Sequence, residues 1–484
     1  MEDLKIKKGF FVQNSQENIE GVYQFDKTKL LGEGGFGRVF KAVHNITKQS
    51  RAIKVIPKSK IKDPAKFAIE IEILKQVDHP NIIKLFETFE DARNVYLVFE
   101  MCEGGELFDR VVAKTHYTES EARAAFTDIM KCIHYCHQHG ISHRDLKLEN
   151  FVYATKALDS PLKMIDFGLS KVFKSEDEIL EENEKKSAIA AAGVKQRKKV
   201  VMQTKAGTAD YMSPEVLEGN YNEKCDIWSA GVILYMILSG TPPFYGKDDA
   251  HLVASIKKGA YRMTGKPWDT ISEPAKDLIK KMIVPQESRI DSQAVLDHPW
   301  MKMQNKVDDT PIQIDLDNLK SFVNMSKLKQ VALHFIASQA DEKDIDLLIK
   351  EFNQFDANGD GEISIQEFKS TISKFHKAPP EEIERIFKLV DSDNSGRINY
   401  TEFIAATMNQ NIYLREEKLY QAFKMFDKNN DGVITPDEIK AVLGSDPKYK
   451  DQDTKMWERI IEDADTNKDG HIDYDEFIKL MGKI

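Results

Sequence analysis

Four stretches of this chain carry oxygen-bearing side chains at a spacing that suits a hard cation. Counted from Asp356, Asp391, Asp427 and Asp465, each offers ligands at positions 1, 3, 5 and 12 of a loop, a backbone carbonyl at 7 and glycine at 6 for the sharp turn. The first uses Asp356, Asn358, Asp360, Glu362 and Glu367; the second Asp391, Asp393, Ser395, Arg397 and Glu402. The third uses Asp427, Asn429, Asp431, Val433 and Glu438; the fourth Asp465, Asn467, Asp469, His471 and Glu476. Gly361, Gly396, Gly432 and Gly470 complete the turns, and Ile363, Ile398, Ile434 and Ile472 recur at position 8. Chance acidic turns do not repeat glycine, isoleucine and a terminal glutamate together, so the predicted ion is Ca2+. Ser395 gives a neutral oxygen where Asp or Asn is usual, which predicts weaker binding in the second loop.

A second chemistry lies upstream. In Leu31-Gly32-Glu33-Gly34-Gly35-Phe36-Gly37-Arg38-Val39 the glycines let backbone N–H groups approach phosphate oxygens. A dinucleotide-binding fold also uses GxGxxG, but it needs a helix at once afterwards. Here 39–43 and 51–56 read as two strands around a turn at 45–49, a hairpin lid with a nucleotide beneath it. Lys54, two residues after Ala52 on the second strand, can pair with α- and β-phosphates. Residues 67–77 read as a helix presenting Glu70 to hold Lys54 extended. Glu72, the competitor, lies about 200° further round that helix.

The densest signal is His143-Arg144-Asp145-Leu146-Lys147-Leu148-Glu149-Asn150 followed by Asp166-Phe167-Gly168, and with the preceding motifs it resembles the eukaryotic protein kinases. The resemblance implies ATP and Mg2+. It makes Asp145 the acceptor of the substrate hydroxyl proton, Lys147 a support for the γ-phosphate, and Asn150 with Asp166 the Mg2+ ligands. Gly207-Thr208-Ala209-Asp210-Tyr211-Met212-Ser213-Pro214-Glu215 resembles the substrate-docking segment, with Ser213 in place of alanine. Glu215 would pair with Arg289, and Asp226 would brace the catalytic loop. Phe99 would close the back of the pocket before the hinge residues Glu100 to Cys102. Glu106 and Glu149 would meet a peptide with basic residues before its Ser or Thr. Three positions depart from the family or stay open. Leu148 stands where proline is common. Extra residues run from about 176 to 199, acidic first and basic last, as a solvated insertion or a gate over the substrate groove. Thr204 stands where many kinases carry an activating phosphate that Arg144 would bind.

The elements that must connect these chemistries meet at 303–339. Leu328, Val331, Ala332, Phe335 and Ile336 recur with the period of a helix having one apolar face. That face suits either permanent packing against one neighbour or a switch, and the flanking chemistries favour a switch. Residues 1–24 are polar and read as a loosely ordered extension. The chain has 484 residues, 41% of them hydrophobic, enough for about three folding units with real cores. Residues 341–484 carry 32 acidic and 20 basic side chains, net −12, and subtracting that from the whole-chain −10 leaves +2 for the rest. No basic stripe argues for nucleic acid. No apolar run is long enough to span a membrane, the first residues do not form a signal peptide, and Glu2 is not the glycine of a myristoylation signal. Four cysteines without a paired framework suit a reducing cytosol, so a cytoplasmic location is expected. Cys132 and Cys136, near His134, His137 and His139, are read as helix positions rather than a metal site.

Kinase, junction and four EF-hands in this order resemble the calcium-dependent protein kinases of plants and protists. The implied fold is multidomain α+β, a bilobal kinase followed by an all-α domain of four EF-hands in two pairs. Expected limits are an extension at 1–24, a kinase at 25–301 (lobes about 25–102 and 103–301), an autoinhibitory junction at 302–340 and a calmodulin-like domain at 341–484. Its EF-hands would span about 346–377, 381–411, 417–445 and 455–484. The resemblance implies a Ser/Thr kinase, monomeric, held inactive by its junction and released when Ca2+ binds its own EF-hands. Lys320, Lys327 and Lys329 are candidate mimics of a basic substrate, though no clear pseudosubstrate is present. Moving from 1% to 99% active takes about 5.5 kcal/mol, or about 1.4 per calcium site, which is roughly tenfold tighter binding at each. A calcium-binding scaffold with a dead kinase would need Lys54, Asp145 or Asp166 to be missing, and all are present. A constitutive kinase that uses its EF-hands for recruitment is separated by testing activity on a soluble peptide with and without calcium.

Overall fold

Ser50–Pro57 and Asn94–Glu100, rich in valine, isoleucine and aromatic residues, form the centre of a six-stranded sheet. Its order is Gln13–Ser15, Leu85–Glu90, Asn94–Glu100, Ser50–Pro57, Arg38–His44 and Tyr23–Glu33. All neighbours are antiparallel except the first two strands, which run parallel. This computed structural model describes residues 11–15, 18–33, 37–167, 171–172, 209–219, 221–303, 316–376, 378–443, 454–462 and 464–482. Gly34, Gly35, Phe36, Gly168, Thr204, Gly207, Thr208 and the 176–199 insertion lie outside the described residues.

Below the sheet the kinase becomes helical. Glu119–Gln138 starts at a capping box, with Thr118 and Glu121 each satisfying the other's backbone N–H, and Lys224–Ser239 is buried almost throughout. One apolar core runs from Ile56, Ile73 and Leu97 through Phe126 and Trp228 to Trp300. Cys132 and Cys136 both lie in it, and His134 bonds Ser292.

A second core builds the EF-hand region. Its helices are Glu342–Phe355, Ile365–Phe375, Pro380–Val390, Tyr400–Thr407, Glu416–Phe426, Pro436–Leu443, Thr454–Glu462 and Tyr474–Gly482, with a short Gln410–Tyr413 turn between the pairs. Paired strands join the loops two by two, with Ile363 opposite Ile398 and Ile434 opposite Ile472.

Two expectations need correcting. Residues 11–15 and 18–24 are not loose: Phe11 is 1% exposed within the EF-hand core and meets Phe335 edge-on, while Val12 sits in the kinase core and 13–15 form a strand. The polar composition hid two apolar anchors placed side by side. Among its described residues the junction forms two helices, Leu316–Val323 and Lys327–Ser338. The second is buried beyond one face, because Leu333, His334, Ala337 and Ser338 are enclosed along with the apolar stripe. EF-hand helices surround it, so even its polar side is covered.

Candidate functional site

Asp226, near the start of helix Lys224–Ser239, organises the cleft. It accepts bonds from Ser142 Oγ (2.9 Å), His143 N (2.9 Å) and Arg144 N (2.8 Å), and His137 Nε2 lies at 3.0 Å. These bonds hold Arg144 at φ +67°, a left-handed conformation that costs a non-glycine residue about 1–2 kcal/mol. That turn presents Asp145 to the cleft. Asn150 Nδ2 donates to Asp145 O at 2.7 Å, and Ile165 N donates to Asn150 O at 3.0 Å, tying Asp145 and Asn150 to the approach of Asp166. Lys147 Nζ lies 2.9 Å from Asp145 Oδ2. His143 is buried against Phe167, and burial lowers its imidazole pKa.

Across the cleft, Lys54 Nζ lies 3.5 Å from Asp166 Oδ1. Glu70 faces the same space: burial raises its carboxyl, and Lys54 opposes that shift. The expected Lys54–Glu70 ion pair is not formed here, because Asp166 takes the ammonium instead. Glu72 is exposed and pairs with Lys75. Leu31, Gly32 and Glu33 lie at the exposed lip, and Val39 faces Lys54 across the sheet. Gly37 is dictated by packing, since a Cβ there would fall 2.2 Å from Val55 O. Arg38 stacks over Phe40, Ala52 and Phe99 are buried in the wall, and burial raises the Cys102 thiol. Glu100 turns its side chain to the rear, where Oε1 accepts Lys84 N at 2.7 Å. A cavity of about 780 Å³ lined by Arg110, Tyr117, Asp128, Tyr153 and Leu158 contains none of these groups.

At the peptide side, burial and then Asp109 and Glu149 raise the Glu106 carboxyl. Asp210 is raised by burial and then by Glu149 and Asp249, so it joins this acidic group, which sequence reading had confined to Glu106 and Glu149. Arg289, 0% exposed at its side chain, holds Glu215 through two nitrogens at 2.5 and 3.3 Å. Leu148, in the place where proline is common, is buried in the kinase core.

The calcium loops fold around their own carboxylates. Asp356 Oδ1 accepts Gly359 N and Asp360 N, its Oδ2 accepts Gly361 N, and Glu367 closes the loop on Ala357 N. Equivalent bonds run from Asp391, Asp427 and Asp465 and from Glu402, Glu438 and Glu476. In the second loop, oxygens of Asp391, Asp393 and Glu402 lie within 4.8 Å of one another. Burial and then Asp393 push the Glu402 carboxyl well up, the signature of crowded oxygens that fit a divalent cation. Asn358, Asn429 and Asn467 bond Asp360, Asp431 and Asp469 at the loop rims. Glu362, Ser395, Val433 and His471 occupy the remaining positions. Arg397 sends its guanidinium across to the first loop, with Nη1 2.5 Å from Asp360 Oδ2.

The first EF-hand pair rests on the kinase. Thr401 donates to Asp78 through N (2.8 Å) and Oγ1 (2.9 Å), and Lys131 Nζ donates to Asn353 Oδ1 at 2.9 Å. Glu362 meets His139 at 3.4 Å, and Gly361 packs under His79 and Tyr135. Asp341 receives Arg51 Nη1 at 2.8 Å and Gln49 Nε2 at 3.0 Å. Lys163, wholly buried, joins Glu100 to Glu342. Lys320 pairs with Glu382, Lys329 lies over Tyr413, and burial lowers Lys327 to about 8, so the basic junction residues face the EF-hand region. Sequence reading missed Lys163, Asp341 and Asp78, because their partners lie far away along the chain.

Comparison with known proteins gives the same architecture. The family model described as "Protein kinase domain" matches residues 25–301, and "EF-hand domain pair" matches 345–408 and 416–482. "Calcium-dependent protein kinase 3" of Plasmodium berghei is 37% identical over 99% of this chain and 84% of its own length. "Calcium-dependent protein kinase 5" of Plasmodium falciparum is 38% identical over 96% of this chain and 79% of its own. "Calcium-dependent protein kinase 19" of Oryza sativa subsp. japonica is 38% identical over 96% and 83%.

Proposed function

The chain belongs to the calcium-dependent protein kinases, and on that premise we propose how its residues carry out calcium-activated transfer of the ATP γ-phosphate to protein serine and threonine. The observation that carries the reading is the Asp226-braced turn, which brings Asp145 and Asn150 together beside Asp166 and Lys54. Mg2+ neutralises phosphate charge when bound, and Asn150 and Asp166 are the residues to hold it. Asp145 orients the substrate hydroxyl and accepts its proton. Lys147 releases Asp145 to steady the γ-phosphate, and Lys54 exchanges Asp166 for the α- and β-phosphates. Glu70 then secures Lys54. The ends of the strands Tyr23–Glu33 and Arg38–His44 cover the nucleotide and exclude water, with Glu100 to Cys102 along its base.

Glu106 and Glu149, with Asp210 beside them, favour a substrate with basic residues before its Ser or Thr. The charge favours this, because burial and then neighbouring carboxylates raise the Glu106 and Asp210 carboxyls, and a cationic peptide relieves that repulsion.

The junction helix Lys327–Ser338 is enclosed by EF-hand helices, which supports this arrangement as the released state. Without calcium the loops lose the cation that holds their carboxylates together, and the helix is freed to block the cleft or to leave the kinase unbraced. The chain acts as a monomer. The test is phosphate transfer from Mg-ATP to a basic serine peptide in EGTA and across a calcium titration, beside Asp145→Asn. A steep rise with calcium that the variant abolishes is expected. Equal activity in EGTA overturns the switch and favours a constitutive kinase that uses its EF-hands for recruitment.

A further inference from the structure

One charge chain crosses from the calcium region to the nucleotide hinge. Glu342 stands in the first turn of helix Glu342–Phe355, where the helix dipole favours a carboxylate. Its Oε1 lies 2.5 Å from Lys163 Nζ, and the same ammonium lies 3.2 Å from Glu100 Oε2. The Lys163 side chain is 0% exposed, so both carboxylates meet it without solvent between them. Glu100 is the first hinge residue and ends the strand Asn94–Glu100. Lys163 lies on the strand Leu162–Met164, three residues before Asp166. A single ammonium thus ties the sensor's first helix to two segments that border the nucleotide.

The contacts around it converge on the same segments. Arg51, opposite Glu100 in the sheet, stacks over Phe86 and reaches Asp341, the residue before Glu342. The segment that carries Asp78, His79 and Lys84 touches Thr401, Gly361 and the Tyr400 ring, and it pairs with Met164 beside Lys163 through Asn81 O and Ile83 N. Gly361 is the turn of the first calcium loop, at φ +81°, and it leaves no space beneath His79. Docking therefore requires the first loop in its folded shape, which calcium stabilises.

We infer that Glu342, Lys163 and Glu100 form a positioning relay through which the first EF-hand pair sets the hinge and the Asp166 strand, so that calcium and nucleotide bind with positive coupling. The relay acts on how firmly ATP is held and aligned, beyond any release of peptide access. Thermodynamic linkage then requires nucleotide to tighten calcium binding by the same factor that calcium tightens nucleotide binding. This rests on the calcium-activated kinase reading above.

The test is calorimetric titration of calcium into the full chain at constant Mg2+, with and without a non-hydrolysable ATP analogue, and of the analogue with and without calcium. Each affinity is expected to rise by about fivefold or more when the other ligand is bound, by equal factors. In Glu342→Gln both factors fall below about twofold while calcium still binds. Glu342→Asp, which keeps the charge but withdraws it from Lys163, carries the same expectation if Glu342→Gln does not fold. Calcium binding and activation with no nucleotide effect overturns the inference and leaves the kinase reading intact. Full coupling in the Glu342 variants overturns the relay. Failure of calcium to bind or to activate would instead overturn the kinase-switch reading.

Discussion

The two EF-hand pairs repeat one ligand pattern in different surroundings. In the first loop Asp360 is 0% exposed, and a Cβ on Gly361 would come within 2.3 Å of the His79 ring. In the third and fourth loops Asp431 and Asp469 face solvent, and the space around Gly432 and Gly470 is open. The second pair helps enclose the junction helix and brings Lys428 toward Glu87, whereas the first pair both encloses the helix and hydrogen-bonds the kinase. The same chemistry therefore has two mechanical outcomes. On the switch proposed above, calcium in the second pair would steady the sensor's own core, and calcium in the first pair would also shape a surface that the kinase contacts.

The strongest way to break that distinction is a matched pair of glycine variants. Gly361→Ala and Gly470→Ala share a backbone strain of about 1–2 kcal/mol, since their φ values are +81° and +87°. Only Gly361→Ala collides with the kinase. It should lower the peptide phosphorylation rate at saturating calcium by about tenfold or more, the cost of overpacking at a close contact. Gly470→Ala should shift the calcium midpoint and reach the full rate. Equal loss in both variants would erase the distinction.

The next test removes a ligand from each pair. Glu367→Gln should raise the calcium needed for half activation by about tenfold, and Glu476→Gln by less, read from the same activity titration. A smaller contrast comes from the interface alone. Thr401→Val keeps the N–H bond to Asp78 but loses the hydroxyl bond to a buried carboxylate, costing docking about 1.5 kcal/mol, or about tenfold. It should weaken activation without altering calcium stoichiometry measured by calorimetry. The smallest effect belongs to Arg397→Ala. Removing a guanidinium beside the first loop should tighten calcium there by about two- to threefold, visible as a lower first binding midpoint.

What the sequence made legible was local. The strands expected at 39–43 and 51–56 occur as Arg38–His44 and Ser50–Pro57, and the helix expected at 67–77 occurs as Pro64–Gln76, because each is written in consecutive residues. The calcium loops were legible for the same reason, since every ligand lies within twelve positions. Phe11 was not, because its burial depends on Phe335 more than three hundred residues away. Lys163 is one lysine in a short strand until Glu100 and Glu342 close around it. The junction showed its apolar stripe, but its full enclosure needs helices that follow it in the chain. Residue type pairs Lys54 with Glu70, whereas the geometry gives its ammonium to Asp166.

The most direct test of the central claim is amide hydrogen exchange of the full chain, in EGTA and in saturating calcium, followed at kinase residues 77–84 and 131–139. Docking of the first pair on these segments predicts slower exchange there with calcium, lost in Gly361→Ala and kept in Gly470→Ala. Identical exchange in both conditions, alongside normal calcium protection of the loops themselves, would contradict transmission of calcium binding to the kinase through the first pair.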